Sequence, residues 1–194
     1  IMMKKFIIIL GIIIVSFHSL LFSQDQKVLL MGECDEMGTR NMLNYLDQRA
    51  KISLSIEKNI AISEKNISGY PIILICSNGY LKLTNDEVVL LGNHLKQGGL
   101  LILDNITSDY TFSIFLKKIL PEFNTKNISL KEFFSPNILG IDLEKIDITL
   151  EGLFINNRLA LLGVKKSSLI KKWIDEDEEF LKVGSSIIFY DLTK

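Results

Sequence analysis

The chain has 194 residues, a net charge of −1 and 23% charged residues, enough for one domain with a substantial core and short for two. Removing residues 1–23, which carry two lysines and no acid, leaves 171 residues and a net charge of −3. That balance argues against nucleic acid or an anionic membrane surface as the main partner, because both reward clustered positive charge.

Lys4 and Lys5 precede an unbroken apolar run from Phe6 to Val15, and a mixed stretch to Ser23 leads into the polar Gln24, Asp25, Gln26 and Lys27. This is the layout of a secretory signal. Residues 1–23 are expected to act as a signal peptide or, if retained, a signal anchor, with residues 24–194 forming a single α/β domain. The expected location is periplasmic or otherwise extracytoplasmic, with membrane contact only through the N-terminal segment if it stays uncleaved. No cysteine closes the run, so the lipoprotein route is excluded.

Lys27 to Met31 reads as a strand ending at Gly32, and a helix opens near Thr39 with Met42, Leu43 and Leu46 on one face. Ile52, Leu54 and Ile56 alternate with polar residues, the period of a strand near a sheet edge. Pro71 opens the continuous apolar run Ile72 to Ile75, which suits a central parallel strand covered on both faces. Thr84 and Glu87 form a capping box. Val88, Leu91 and Leu95 give the following helix its buried face, and Gly98 with Gly99 stop it. Leu100 to Leu103 is a further buried strand. Ser108 or Asp109 then opens a helix bearing Phe112, Phe115, Leu116 and Ile119, ended by Pro121.

Residues 122–151 show no sustained period and are read as loops with one or two short strands. Gly152–Ile155 and Arg158–Leu162 flank Asn156 and Asn157, a pair suited to a tight hairpin turn with positive φ; the hairpin is expected as an antiparallel appendage. The last helix places Phe180, Val183, Gly184, Ile187 and Ile188 on one face. The fold class is therefore α/β: a doubly wound, mostly parallel sheet with helices on both faces, plus a C-terminal β-hairpin and helix.

These pieces together resemble the domain-of-unknown-function 4159 family of bacterial proteins. The resemblance rests on Tyr70-Pro71 opening a strand, TNDE leading into HLKQGGLLILDN, the helix ending at Leu120-Pro121, GLFINNRLALLG, Trp173 and FLKVGSSIIFY. It implies a class I glutamine amidotransferase-like fold without amidotransferase machinery. It also implies export and work beside MoxR-type ATPases and von Willebrand factor A proteins. Two departures stand out. The family's paired aspartates after the Gly-Gly strand become Asp104 and Asn105. Its His-Pro motif ahead of a phenylalanine pair is replaced by Ser129, Leu130, Lys131 and Glu132 before Phe133 and Phe134.

Chemistry-bearing residues are few. His94 is the sole histidine after residue 23, and zinc sites and His-assisted nucleophiles need well-placed histidines. Cys76 sits where related folds place a nucleophile, but Leu74 and Asn78 occupy the positions an elbow needs small, so it reads as a buried apolar cysteine. Cys34 and Cys76 can pair in an oxidising compartment if the fold brings them together. His94 reads as an exposed or partly buried helix residue. The acids Asp175 to Glu179 read as a solvated helix start rather than a calcium site.

Glu33, Ser77, Asn78, Asp104 and Asn105 all come directly after parallel strands. They are expected along the carboxyl edge of the sheet, where open α/β folds bind ligands, or else as caps of the next helix or loop. No catalytic residue, metal site or cofactor is assigned. The leading expectation is a non-catalytic envelope interaction module with protein partners. The alternatives are a small hydrolase or amidotransferase-like enzyme, and a binding protein for a small polar molecule.

Overall fold

A computed structural model describes residues 26–76, 83–106 and 108–193. Among the described residues, seven strands form one sheet in the order β2-β1-β3-β4-β7-β6-β5. The strands are β1 Lys27–Gly32, β2 Ser55–Lys58, β3 Ile72–Cys76, β4 Leu100–Ile106, β5 Lys126–Ile128, β6 Thr149–Ile155 and β7 Arg158–Lys165. The helices are α1 Glu36–Ala50, α2 Asn85–Gln97, α3 Asp109–Ile119, α4 Leu130–Phe133, α5 Leu169–Ile174 and α6 Glu178–Leu192. Among the described residues no helix is long and apolar enough to cross a membrane.

The continuous apolar runs sit at the sheet centre because both faces are covered there. Val28, Ile72 and Leu100 stand in register across the parallel strands β1, β3 and β4. Val28, Leu30, Leu74 and Ile102 point toward α1, α5 and α6. Leu29, Ile73, Leu101 and Leu103 point toward α2 and α3. The chain is thus α/β and doubly wound, as its pattern predicts. β2 takes the expected edge position, but it begins at Ser55, so Ile52 and Leu54 of the alternating stretch lie before it.

The α2 capping box forms as read: the Glu87 backbone N–H donates to Thr84 Oγ1 at 3.2 Å and the Thr84 N–H to Glu87 Oε2 at 2.8 Å. Gly98 ends α2 at φ +124°, a conformation strained for any residue with a Cβ. On α6, a Cβ at Gly184 would overlap the Trp173 ring, so the glycine allows α6 to press onto that indole.

Three expectations change. The hairpin is not an appendage: Asn156 and Asn157 turn it with φ of 51° and 63°, but β7 pairs parallel with β4 and joins the two halves of the sheet. Its residues Leu159 to Val164 are buried, as a central strand requires. Between residues 122 and 151, β5 and the start of β6 supply the expected short strands, and α4 is added. His94 is 6% exposed and belongs to the core, not the surface.

Candidate functional site

Parallel strands deliver their last residues to one edge, so the ends of β1, β3 and β4 meet. After Gly32 turns the chain at φ +76°, the Glu33 N–H donates to the Cys76 carbonyl at 2.8 Å. This closure brings Cys34 against Cys76, and the two form a disulfide with Cα atoms 4.8 Å apart. Cys76 is therefore not a lone apolar cysteine; the register of β1 on β3, which pairs Gly32 with Cys76, places its partner beside it. Asp35 then caps α1, its Oδ1 accepting from the Gly38 N–H at 3.1 Å.

Cys76 is in turn opposite Asp104 on β4. Asp104 is 3% exposed. Its carboxylate accepts from Ser168 Oγ at 2.6 Å, the Leu169 N–H at 2.7 Å and the Ile170 N–H at 3.2 Å. Two otherwise orphaned donors of the first α5 turn are thereby satisfied by a side chain from a distant strand. Burial raises the Asp104 pKa above the usual carboxylate range, opposed by the Ser168 hydroxyl and by backbone N–H donors. Asn105 is next at φ +60°, where the β4–β7 register shifts.

Glu33, Asp104 and Asn105 do come together, lining a crevice of about 170 Å³ with Asp35, Ser168 and Lys171. Ser77 and Asn78 lie outside the described residues. Sequence reasoning misses Ser168 and Lys171, although Ser168 three residues before Lys171 has the spacing of a serine cap; its Oγ accepts from the Lys171 N–H at 3.2 Å. The crevice is smaller than the ~300–1,000 Å³ typical of small-molecule sites. Among the described residues no cluster of metal-ligating side chains occurs.

His94 is at the opposite end of the sheet, in the last turn of α2, and does not meet Cys76. Arg158, at the amino end of β7, donates to the Leu95 carbonyl at 2.5 Å and the Gly99 carbonyl at 3.0 Å, and lies 3.8 Å from Asp191 of α6. Burial, aided by the Arg158 charge, lowers the His94 pKa to about 4, and its Nε2 has no hydrogen-bond partner among the described residues. Burial raises the Asp191 pKa to about 7 against the opposing pull of Arg158. Of the acids read as a solvated helix start, Asp177, Glu178 and Glu179 do open α6, but Asp175 ends α5, Glu176 turns between the helices at φ +53°, and Glu179 is not solvated: it accepts from the Asp142 N–H at 2.6 Å and pairs with Lys182 at 2.8 Å.

A second concavity gathers residues met so far only as pieces of the family resemblance, the Phe133-Phe134 pair and the Phe189-Tyr190 end of the last helix. The C-terminal turns of α1 and α6 and residues 133–139 enclose an apolar groove of about 230 Å³, lined by Leu46, Phe133, Phe134, Ile138, Phe189 and Tyr190 among others. Phe133 packs edge-on against Phe134 at 5.0 Å and tilts toward Tyr190 at 5.4 Å. Ile138 stands 64% exposed beside it.

No curated protein matches the chain. The family model described as a domain of unknown function, DUF4159, matches residues 31–190, a span that includes every strand from β2 to β7 and the helices from α1 into the last turn of α6, and the chain belongs to that family.

Proposed function

We propose that this domain is a non-catalytic interaction module of the cell envelope, working with MoxR-type ATPase and von Willebrand factor A proteins as the family resemblance implies. The observation that carries the reading is the use made of the sheet's carboxyl edge. Open α/β folds place ligands and chemistry there, yet here Asp104 is consumed in closing α5 and Cys76 in bonding Cys34. An acid surrounded by three donors at 3% exposure serves architecture rather than proton transfer. The disulfide supports an oxidising compartment, since such bonds persist outside the cytoplasm. Tyr110, 71% exposed, and Ile114, one turn on along α3, offer apolar side chains for a partner surface.

The test is a photo-crosslinking amino acid placed at Tyr110 in the full chain, expressed in cells. The expected result is an adduct with a von Willebrand factor A protein that Ile114→Asp abolishes without changing the melting temperature. Absence of any protein adduct from the Tyr110 and Ile114 positions overturns the reading.

A further inference from the structure

The apolar groove has a definite place relative to the chain's N-terminal segment. Strand β1 enters the sheet at Lys27, paired with Ser55 of β2. Helix α1 runs back from the carboxyl edge and ends at Ala50, a few residues before Ser55, so its last turn lies at the amino edge. The end of α6 is fixed at the same edge by Asp191 beside Arg158, the first residue of β7. Leu46, Phe189 and Tyr190 of the groove belong to those two helix ends. The groove and the point where residues 1–25 join the domain therefore share one edge of the sheet.

The connection is short. The apolar stretch ends at Phe22 and the first strand begins at Lys27. The intervening residues 23–26 reach at most about 14 Å when fully extended. A domain tethered through that stretch is held with its amino edge against the bilayer. The apolar groove, with Ile138 exposed beside it, is then within reach of lipid.

We propose that the groove is a bilayer-docking site that accepts lipid hydrocarbon when the chain is held by its N-terminal segment. Insertion is apolar, with Ile138 entering the interface and a lipid chain lying among Phe133, Phe134, Phe189 and Tyr190. The domain after residue 23 carries a net charge of −3, and the groove lining holds one charged side chain, Arg49, so the contact rests on apolar insertion rather than on anionic lipid. The tether supplies the effective concentration that makes so small an apolar patch sufficient.

The full chain, synthesised cell-free into phosphatidylcholine vesicles, tests this with two tryptophan variants, Ile138→Trp beside the groove and Val89→Trp near the opposite edge. Both positions are well exposed, at 64% and 60%, so both tolerate the ring. The expected result is a blue shift for Ile138→Trp and loss of most of its added emission with bromine-labelled acyl chains, while Val89→Trp keeps its emission. Equal quenching of the two overturns the proposal, and so does the absence of quenching at both. A blue shift of Ile138→Trp without vesicles overturns it as well, because the chain's own apolar segment would then fill the groove.

Discussion

Replacing Asp104 separates a structural carboxylate from a functional one. In Asp104→Ala the Ser168 hydroxyl and the Leu169 and Ile170 N–H groups, now 2.6, 2.7 and 3.2 Å from the carboxylate, lose their acceptor in a buried place. Each buried group left unsatisfied costs about 1–3 kcal/mol, and entry of water into the vacated space relieves part of it, giving about 3–5 kcal/mol in all. At about 2–4 °C per kcal/mol for a domain of this size, the melting temperature should fall by about 6–20 °C. Asp104→Asn keeps the shape and one acceptor oxygen but turns an NH2 toward a donor, so its loss should be intermediate. Ser168→Ala should lose about 0.5–2 kcal/mol, since it removes one donor and the cap on the Lys171 N–H. Thermal melting by circular dichroism gives the order, and amide exchange should accelerate at residues 169–171 in Asp104→Ala. An Asp104→Ala protein that melts with the wild type would refute the assignment of this carboxylate to the fold.

Gly99→Ala should cost about 1–3 kcal/mol, because the new Cβ would overlap the His94 imidazole and the ring must move; Gly98→Ala, strained by φ +124° but free of contacts, should cost about 1 kcal/mol. Equal losses measured by denaturant unfolding would contradict that distinction. Reducing the Cys34–Cys76 bond, which closes a sequence separation of 42, should lower stability by about 4 kcal/mol in a dithiothreitol melt, and an unchanged melt would show that the bond adds nothing. Asp191, with its folded pKa raised to about 7, contributes stability that is present below the unfolded pKa of 3.8 and lost as pH rises through 7. His94, lowered to about 4 from 6.5, contributes in the opposite sense, with stability growing as pH rises from 4 to 6.5. The stability of Asp191→Asn minus that of the wild type should therefore grow with pH between 4 and 7 and then level off; a difference independent of pH would refute the buried-acid account.

The parts of the fold legible in the sequence are those whose signals are local. The Thr84–Glu87 box, the Gly98 stop, the Asn156-Asn157 turn and the apolar runs of β3 and β4 all carry their information within a few residues. β7 shows where locality ends. Its hairpin with β6 is written in the turn, but its other edge pairs with β4, whose residue Leu101 faces Leu161 across 60 positions of sequence. Nothing near Leu161 names that partner. The stretch from Leu159 to Val164, without a polar side chain and buried throughout, is nonetheless the mark of a strand covered on both faces, and it argues against an appendage.

The same division runs through the sites. The edge position of Glu33, Asp104 and Asn105 comes from strand order alone, whereas the partners of Asp104 come from residues 168–170 and depend on where α5 docks. The Phe133-Phe134 pair and the Phe189-Tyr190 end of α6 are visible as motifs, but the groove they form is not, because they lie far apart in sequence and nothing local says that they meet beside the end of α1. His94 combines local and distant signals. It lies three residues after Leu91 on the buried stripe of α2, so its helical position marks it for the core while its polarity suggests the surface. The position prevails because Gly99, without a Cβ, leaves the space beside β4 into which the imidazole fits; a glycine read only as a helix stop is also the reason a histidine can be buried without a charge.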